Sequence, residues 1–372
     1  MLASLLGTRL VLLVGDTVPL PAGPDVVDAL ETAEVTQDAD GRDGFQLTFR
    51  VAKGPTLDYP LLQRGTLAPM KRVVVAVALG VVPEVLIDGV ITHHQLAPSN
   101  EPGGTLLTVT GRDLGTVLDL EEKNAKYPNQ PDFLIFSRII AGYAQYGLVP
   151  VPTPTADLPI ELERVPRQQE TDFTFIQRLA ARNGYVFYIE PVTLGVNTAY
   201  FGPENRLSLP QRALTMGMGA ATNVEQLGFQ HDALAPVGTT GTFVEPFLKL
   251  ALPIPPLPSL KVPPLAAFPS PARRTRLTRE TANQTPLKAA TTALAAASNT
   301  PDAVTGSGTL DGTRYGGVLR ARRLVGVRGA GLSYDGFYYV RRVTHRLERG
   351  RYTQSFTISR EGTGATLPVV VP

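Results

Sequence analysis

The 372-residue chain has no cysteine and no tryptophan, and only four histidines and four methionines. Without cysteine it can form no disulfide, thiolate metal site, iron–sulfur cluster or cysteine nucleophile. Long hydrophobic runs are missing as well. VVVAVALGVVP at 73–83 falls well short of the ~20 apolar residues a membrane helix needs, so membrane insertion is not expected. The opening MLASLLGTRLVLLVGD has no charged leader and Arg9 interrupts it. It reads as a first strand rather than a signal peptide. Nor is there an excess of one charge: 35 Lys and Arg against 33 Asp and Glu leave a formal +2, which does not call for a nucleic-acid partner.

Familiar catalytic signatures are absent too. The chain contains no HExxH, GxSxG, Walker loop or EF-hand loop. His93 and His94 are neighbours in a strand pattern and point to opposite faces, a poor arrangement for chelating one ion. His231 stands alone, and His345 falls in a second β-rich segment. No catalytic, metal-binding or cofactor-binding set is therefore assigned, and the chain is not read as an enzyme. A pair of carboxylates for glycoside cleavage stays open as an alternative, because 33 acidic residues offer many combinations and none stands out.

Hydrophobic residues make up 43% and charged residues 18%, a globular balance. Strand patterns occupy 8–14, 45–51, 71–79, 84–92 and 105–110, separated by Gly/Pro turns. Phe45, Leu47, Phe49 and Val51 alternate cleanly. These predict a small barrel or sandwich over 1–111, interrupted by an acidic, turn-rich stretch at 16–45. Residues 112–203 read as an α/β insert. Its first helix starts near 132, with Phe133, Phe136, Ile139, Ile140 and Tyr143 on one stripe and Gly147 as its stop. Strand-like segments follow over 204–245, then nine prolines within 246–271, an Ala-rich helix candidate at 285–299, and a return to β pattern over 314–361.

The stretch RQQETDFTFIQRLAARNGYVFYIEP, 167–191, combines loop, helix and strand. Thr171 suits an N-cap and Asp172 the first turn; Phe175, Ile176, Leu179 and Ala180 make an apolar face; Gly184 supplies the left-handed stop. The run E-T-D-F-x-F-I-x-R-L-x-x-x-x-G-Y-x-F-Y, carried by Glu170, Thr171, Asp172, Phe173, Phe175, Ile176, Arg178, Leu179, Gly184, Tyr185 and Phe187, resembles the signature of phage late control protein D. It is also similar to the N-terminal region of VgrG, the spike of type VI secretion. Without the family, the same run reads as an amphipathic helix packed on a strand.

A weak internal repeat accompanies the motif. PEVLIDGVITH (83–93) aligns without a gap on DGFYYVRRVTH (335–345), and RVVVAV (72–77) on LVGVRG (324–329). The resemblance implies an α+β, mostly β fold: two tube-like β-barrel domains with an α/β insert, forming a pseudo-six-fold ring as a homotrimer. The expected boundaries are 1–111 for the first tube-like domain, 112–203 for the insert, 204–245 plus 305–362 for a split second domain, 246–304 for a Pro- and Ala-rich insert, and 363–372 for a tail. The implied role is a baseplate hub that adapts a six-fold tail tube to a three-fold spike in a contractile phage tail or injection system. Its partners would be further copies of itself, the tail tube protein, the spike protein and other baseplate components. It would assemble in the bacterial cytoplasm and end in a virion tail or injection particle. VgrG continues into an OB domain and a spike, whereas this sequence ends at LPVVVP; the expectation is a hub with its spike on a separate chain. The alternative is an envelope-degrading or carbohydrate-binding tail module.

Charge is unevenly distributed. Eleven arginines fall within 311–360 against Asp311, Asp335 and Glu348, while 16–45 is acidic. Opposite charge would set the order of neighbouring subunits. The candidate subunit contacts are Asp38, Asp40 and Asp43 against Arg320, Arg322, Arg323, Arg341 and Arg342. Solvated strand faces are the plainer reading, and nucleic-acid contact or lumen lining a third.

Overall fold

A computed structural model describes residues 8–55, 57–101, 103–156, 159, 165–240, 242–244, 251–253, 261–277 and 293–366. The first seven residues, much of the Pro-rich stretch, 285–292 of the Ala-rich helix candidate and most of the tail lie outside the described residues.

The chain is organised around a 13-stranded sheet. Its strands are β1 (Arg9–Gly15), β2 (Pro19–Pro21), β3 (Leu30–Asp38), β4 (Gly44–Arg50), β5 (Arg72–Ala78), β6 (Glu84–Ala97), β7 (Leu106–Asp113), β8 (Gln211–Thr215), β9 (Gln226–His231), β10 (Val304–Asp311), β11 (Leu324–Arg328), β12 (Gly336–Glu348) and β13 (Arg351–Arg360). The path runs β9-β10-β13-β12-β3-β4-β7-β6-β5-β1-β2, with β11 on β12 and β8 on β11. Most strands alternate one buried and one wetter face. Leu47 and Phe49 of β4 are buried, as alternation predicts. β5 is buried at every position and, after Arg72, reads accordingly as an unbroken run of Val and Ala.

The sequence reading marked 16–45 as acidic and turn-rich and named no strand there; the structure adds β3 over residues 30–38. Its charged residues masked a strand whose Ala33 and Val35 are fully buried.

The halves share one strand order. β3-β4-β7-β6-β5 in the first is repeated as β9-β10-β13-β12-β11 in the second. Pairing registers agree in detail. Arg72 faces Val90, and Leu324 faces Tyr339. Thr92 is left out of the β6–β7 ladder by a bulge, and Arg341 is left out of the β12–β13 ladder. Just before β5 and β11, Met70 and Arg322 both adopt left-handed φ, 68° and 63°, unusual for such side chains. Each donates its N–H to the partner strand, Met70 to the Ile91 carbonyl and Arg322 to the Val340 carbonyl, both at 2.8 Å. The offset is 252 for β11 on β5 (324 − 72) but 249 for β12 on β6 (339 − 90). The hairpin between these corresponding pairs is three residues shorter in the second half, so His345 corresponds to Leu96 and not to His93, as the ungapped alignment had it.

The halves differ at their margins. β1 runs antiparallel to β5, whereas β8 runs parallel to β11. Between them stands an α/β unit with α1 (Asp132–Ala141) and α2 (Asp172–Asn183) packed on strands Leu148–Pro152, Val186–Thr193 and Val196–Gly202. α1 stops at Gly142; Gly147, expected as its stop, ends the following short turn at φ 73°. A buried ion pair attaches the unit to the sheet. Arg72 donates to both Asp88 oxygens at 2.8 and 2.6 Å and to the Tyr146 carbonyl, and Asn197 donates to Asp88 at 2.9 Å.

His345 lies fully buried on β12, its Nδ1 2.9 Å from the Tyr352 hydroxyl. Burial, and then the charge of Arg320, push its pKa down from 6.5 to about 3. The folded protein refuses a proton that the unfolded chain accepts, so this contribution is intact above 6.5 and drains away as pH falls toward 3. His345→Gln is expected to flatten stability against pH across that window, read by urea unfolding of both proteins at several pH values. Parallel curves would refute the assignment.

Candidate functional site

The motif stretch forms β-strand Arg167–Thr171, α2 and strand Val186–Thr193. Thr171 caps α2, its hydroxyl accepting the Thr174 N–H at 3.3 Å. Asp172 is buried and collects three donors: Gln168 Nε2 at 2.7 Å, the Tyr143 hydroxyl at 2.7 Å and Lys123 Nζ at 2.5 Å. A buried carboxylate requires such partners. Phe173, Phe175, Ile176 and Leu179 are buried in the core of the α/β unit. Phe175 stacks on Tyr127, and Phe173 meets Phe187 on one side and Arg42 on the other. Arg178 pairs with Glu170, and the Tyr185 hydroxyl donates to the Pro154 carbonyl. Gly184 closes α2 at φ 68°, where an added Cβ would sit 2.8 Å from Ala295 Cα. That contact reaches the helical turn at 293–298, the described part of the Ala-rich segment. Every motif residue is thus accounted for by capping, packing or pairing.

The candidate charge contacts are brought together by the pairing of β3 with β12. Arg322 forks onto Asp43 at 2.9 and 2.5 Å, donates to the Asp38 carbonyl and stacks over Tyr188. Arg342 bonds Asp38, and Arg341 reaches Asp40 at 3.3 Å. The acidic and Arg-rich segments therefore meet within one chain. Arg322 and Asp43 are 4% and 2% exposed and are committed to each other within one chain. Arg320 turns elsewhere, onto the Val85 carbonyl and Glu84, and Arg323 onto Glu190 at 2.6 Å.

Burial and then the charge of Asp43 push the Asp113 carboxyl up to about 6, against Arg42. A second buried cluster centres on Asp302, which meets Lys261, Arg206 and Arg341 and accepts from the Ser359 hydroxyl at 2.6 Å. Burial opposes its ionisation, but those three cations outweigh it and hold the carboxyl below the usual range. The adjacent groove carries Asp38, Asp40, Glu204 and Arg342 on its walls. Glu204 and Arg341 pair at 2.6 Å, so the groove is lined by charges already committed to one another.

His93 is exposed, and His94 is half-buried with its ring against the Leu67 carbonyl. Among the described residues no group of three or more His, Cys, Asp or Glu could hold a metal ion, and no helix is long and apolar enough to cross a membrane. The sequence reading missed Arg72–Asp88 and Asp302. The first left a faint signal, a charge beside or within an apolar run: Arg72 before VVVAVA and Asp88 within VLIDGVI; Asp302 left none.

Breaking the Arg322–Asp43 pair leaves a buried charge without its partner. Asp43→Asn or Arg322→Met should each cost about 3–5 kcal/mol. Arg346→Ala, on the exposed pair with Glu34, should cost under about 1 kcal/mol. Urea unfolding ranks the three, and equal effects would show that the junction does not depend on the pair.

No protein-family model and no curated protein match the sequence. The fold does have solved counterparts. A tail protein from Neisseria meningitidis MC58 superposes with TM-score 0.63 at 16% identity, over 96% of this chain and 98% of that one. The 43 kDa tail protein of prophage MuSo2 from Shewanella oneidensis gives 0.62 at 14% identity, over 95% and 98%. A component of the type VI secretion system of E. coli, described as similar in structure to T4 bacteriophage tail proteins, gives 0.52 at 16% identity, over 92% and 77%. At these identities the likeness establishes the fold: this chain is built like phage tail and type VI secretion proteins.

Proposed function

We propose that the chain is a structural baseplate hub of a contractile phage tail or injection system, joining a six-fold tail tube to a three-fold spike. The observation that carries this reading is the strand order repeated within one chain, β3-β4-β7-β6-β5 and β9-β10-β13-β12-β11. Two quasi-equivalent units per chain become six around a three-fold axis, so one face can match six-fold symmetry while the chain itself stays three-fold. In this reading the two units are the expected 1–111 and 204–245 with 305–362, with β7 carrying the first unit on to Asp113, and the α/β insert up to 203 stands outside them. The extended match to tail proteins supports the same role.

In this reading the work is done by shape and symmetry. The motif residues from Glu170 to Phe187 hold the insert together, and the buried Arg72–Asp88–Asn197 network fixes its angle to the sheet. The partners are two further copies, a tube protein, a spike protein and other baseplate components. Assembly takes place inside the bacterium and the product leaves as part of a particle. No catalytic step is assigned.

Native mass spectrometry and light scattering of the purified chain, alone and with its spike, test the reading. A trimer, or a monomer converted to a trimer by the spike, is the expected result. A strict monomer that cleaves peptidoglycan would overturn it in favour of an envelope-degrading module.

A further inference from the structure

The junction between the halves has a second, unfilled counterpart. Within the chain, the outer edge of β12 beyond Val340 is covered by β3, antiparallel, with Val343 opposite Gln37, His345 opposite Val35 and Leu347 opposite Ala33. All six side chains are buried. The corresponding strands are β6 for β12 and β9 for β3. Among the described residues neither corresponding edge is covered. β5 pairs with β6 only as far as Val90, and β9 ends the strand path.

Hydrogen-bond alternation shows which groups those edges present. Asp113 donates its N–H to the Asp43 carbonyl, so odd residues of β7 turn to β4 and Thr108 and Thr110 turn to β6. Their partners Gln95 and His93 are thereby used, and the backbone groups of His94 and Leu96 point outward. On β9, Asp232 donates to the Ala303 carbonyl, so Gln226, Gly228 and Gln230 turn to β10. The backbone groups of Leu227, Phe229 and His231 point outward. Side chains tell the same story: Leu96, Leu227 and Phe229 are only half-buried where their counterparts in the junction are fully buried. Met70, which occupies the place of the buried Arg322, is 46% exposed.

We infer that β9 of one copy pairs antiparallel with β6 of the next, in the register of the β3–β12 junction. Transferring that register sets Phe229 opposite Leu96, Gln230 opposite Gln95 and His231 opposite His94. Pro98, which has no N–H, falls opposite Leu227 and ends the ladder. The partner is a second copy of this chain, because the register of the β3–β12 junction, transferred to the corresponding strands, gives each edge its match in the other. A head-to-tail contact of this kind closes into a ring when its rotation is three-fold, as the hub reading requires, and then leaves neither of these edges open for unplanned association. The inference deepens the trimeric hub reading and rests on it.

The chain has no cysteine, so engineered thiols report without background. Gln95 and Gln230 are exposed and would form a non-hydrogen-bonded pair with Cα atoms about 4.5 Å apart, close enough for a disulfide. Mild oxidation of the full chain carrying Gln95→Cys and Gln230→Cys should move most of it to a covalent trimer on non-reducing gels, while each single variant stays monomeric there. Gln95→Cys with Gly228→Cys is out of register and should leave the chain largely uncross-linked; position 228 has room for a side chain. Native mass spectrometry runs in parallel. A native trimer that fails to cross-link, or that cross-links equally well out of register, overturns the strand pairing and leaves the hub reading standing. A chain that stays monomeric and uncross-linked even with its spike present overturns both.

Discussion

An unpaired strand edge cannot be left inside a protein, and the architecture turns on how one such edge is filled. β12 extends past β11, and its outer edge is closed by β3, roughly three hundred residues earlier in the chain; the Thr36 and Thr344 hydroxyls across the ladder are 308 positions apart. That ladder fuses two sheet halves, each with its own apolar core. Beneath it Arg322 enters the seam and must be neutralised there. Asp43 does so with both oxygens, and the Asp38 carbonyl takes a further N–H. A buried pair of this kind contributes little net stability against an apolar substitute, but it tolerates only one geometry. The charges serve register more than adhesion.

The same logic recurs at the attachment of the α/β unit. Arg72 and Asp88 sit on adjacent strands of an otherwise apolar region, and Asn197 from the unit completes the Asp88 shell. Asp302 plays the corresponding part in the second half, drawing Lys261, Arg206 and Arg341 from separate segments. Each carboxylate fixes the relative position of pieces that packing alone would let slide. The proposed hub role, holding neighbours at set angles, calls for such fixed joints more than for a deep pocket.

Much of this was legible in the sequence. The period-2 strands, the capped helix α2 and its Gly184 stop followed from local rules, because in those places local preference and tertiary packing agree. β3 did not, since LETAEVTQD carries charges at 31, 34 and 38 and borders turn-rich sequence; only the seam shows that Ala33 and Val35 face a core. The Arg-rich and acidic segments announced an attraction but not its address. Composition cannot tell a contact within one chain from a contact between two when the chain holds both partners. The repeat was visible in β5 and β6, yet its ungapped alignment set His345 on His93, and the shorter second hairpin moves it to the place of Leu96. A three-residue slip is invisible to pattern matching and obvious in a hydrogen-bond ladder.

The differences between the halves matter as much as the likeness. Shared strand order gives each the same edges, but the left-handed position before β5 holds Met70, exposed, and the one before β11 holds Arg322, buried in an ion pair. An Arg with a matched Asp43 suits a junction formed once, during folding, where the charge never meets water again. A Met suits a junction formed later between separate chains, because an apolar, adaptable side chain can wait in solvent and bury without needing a partner charge. In a ring of three such chains the six seams would alternate between the two kinds. One backbone solution would then serve folding at every second seam and assembly at the others, which is how a duplicated fold could present six similar units outward while keeping only three-fold symmetry in its joints.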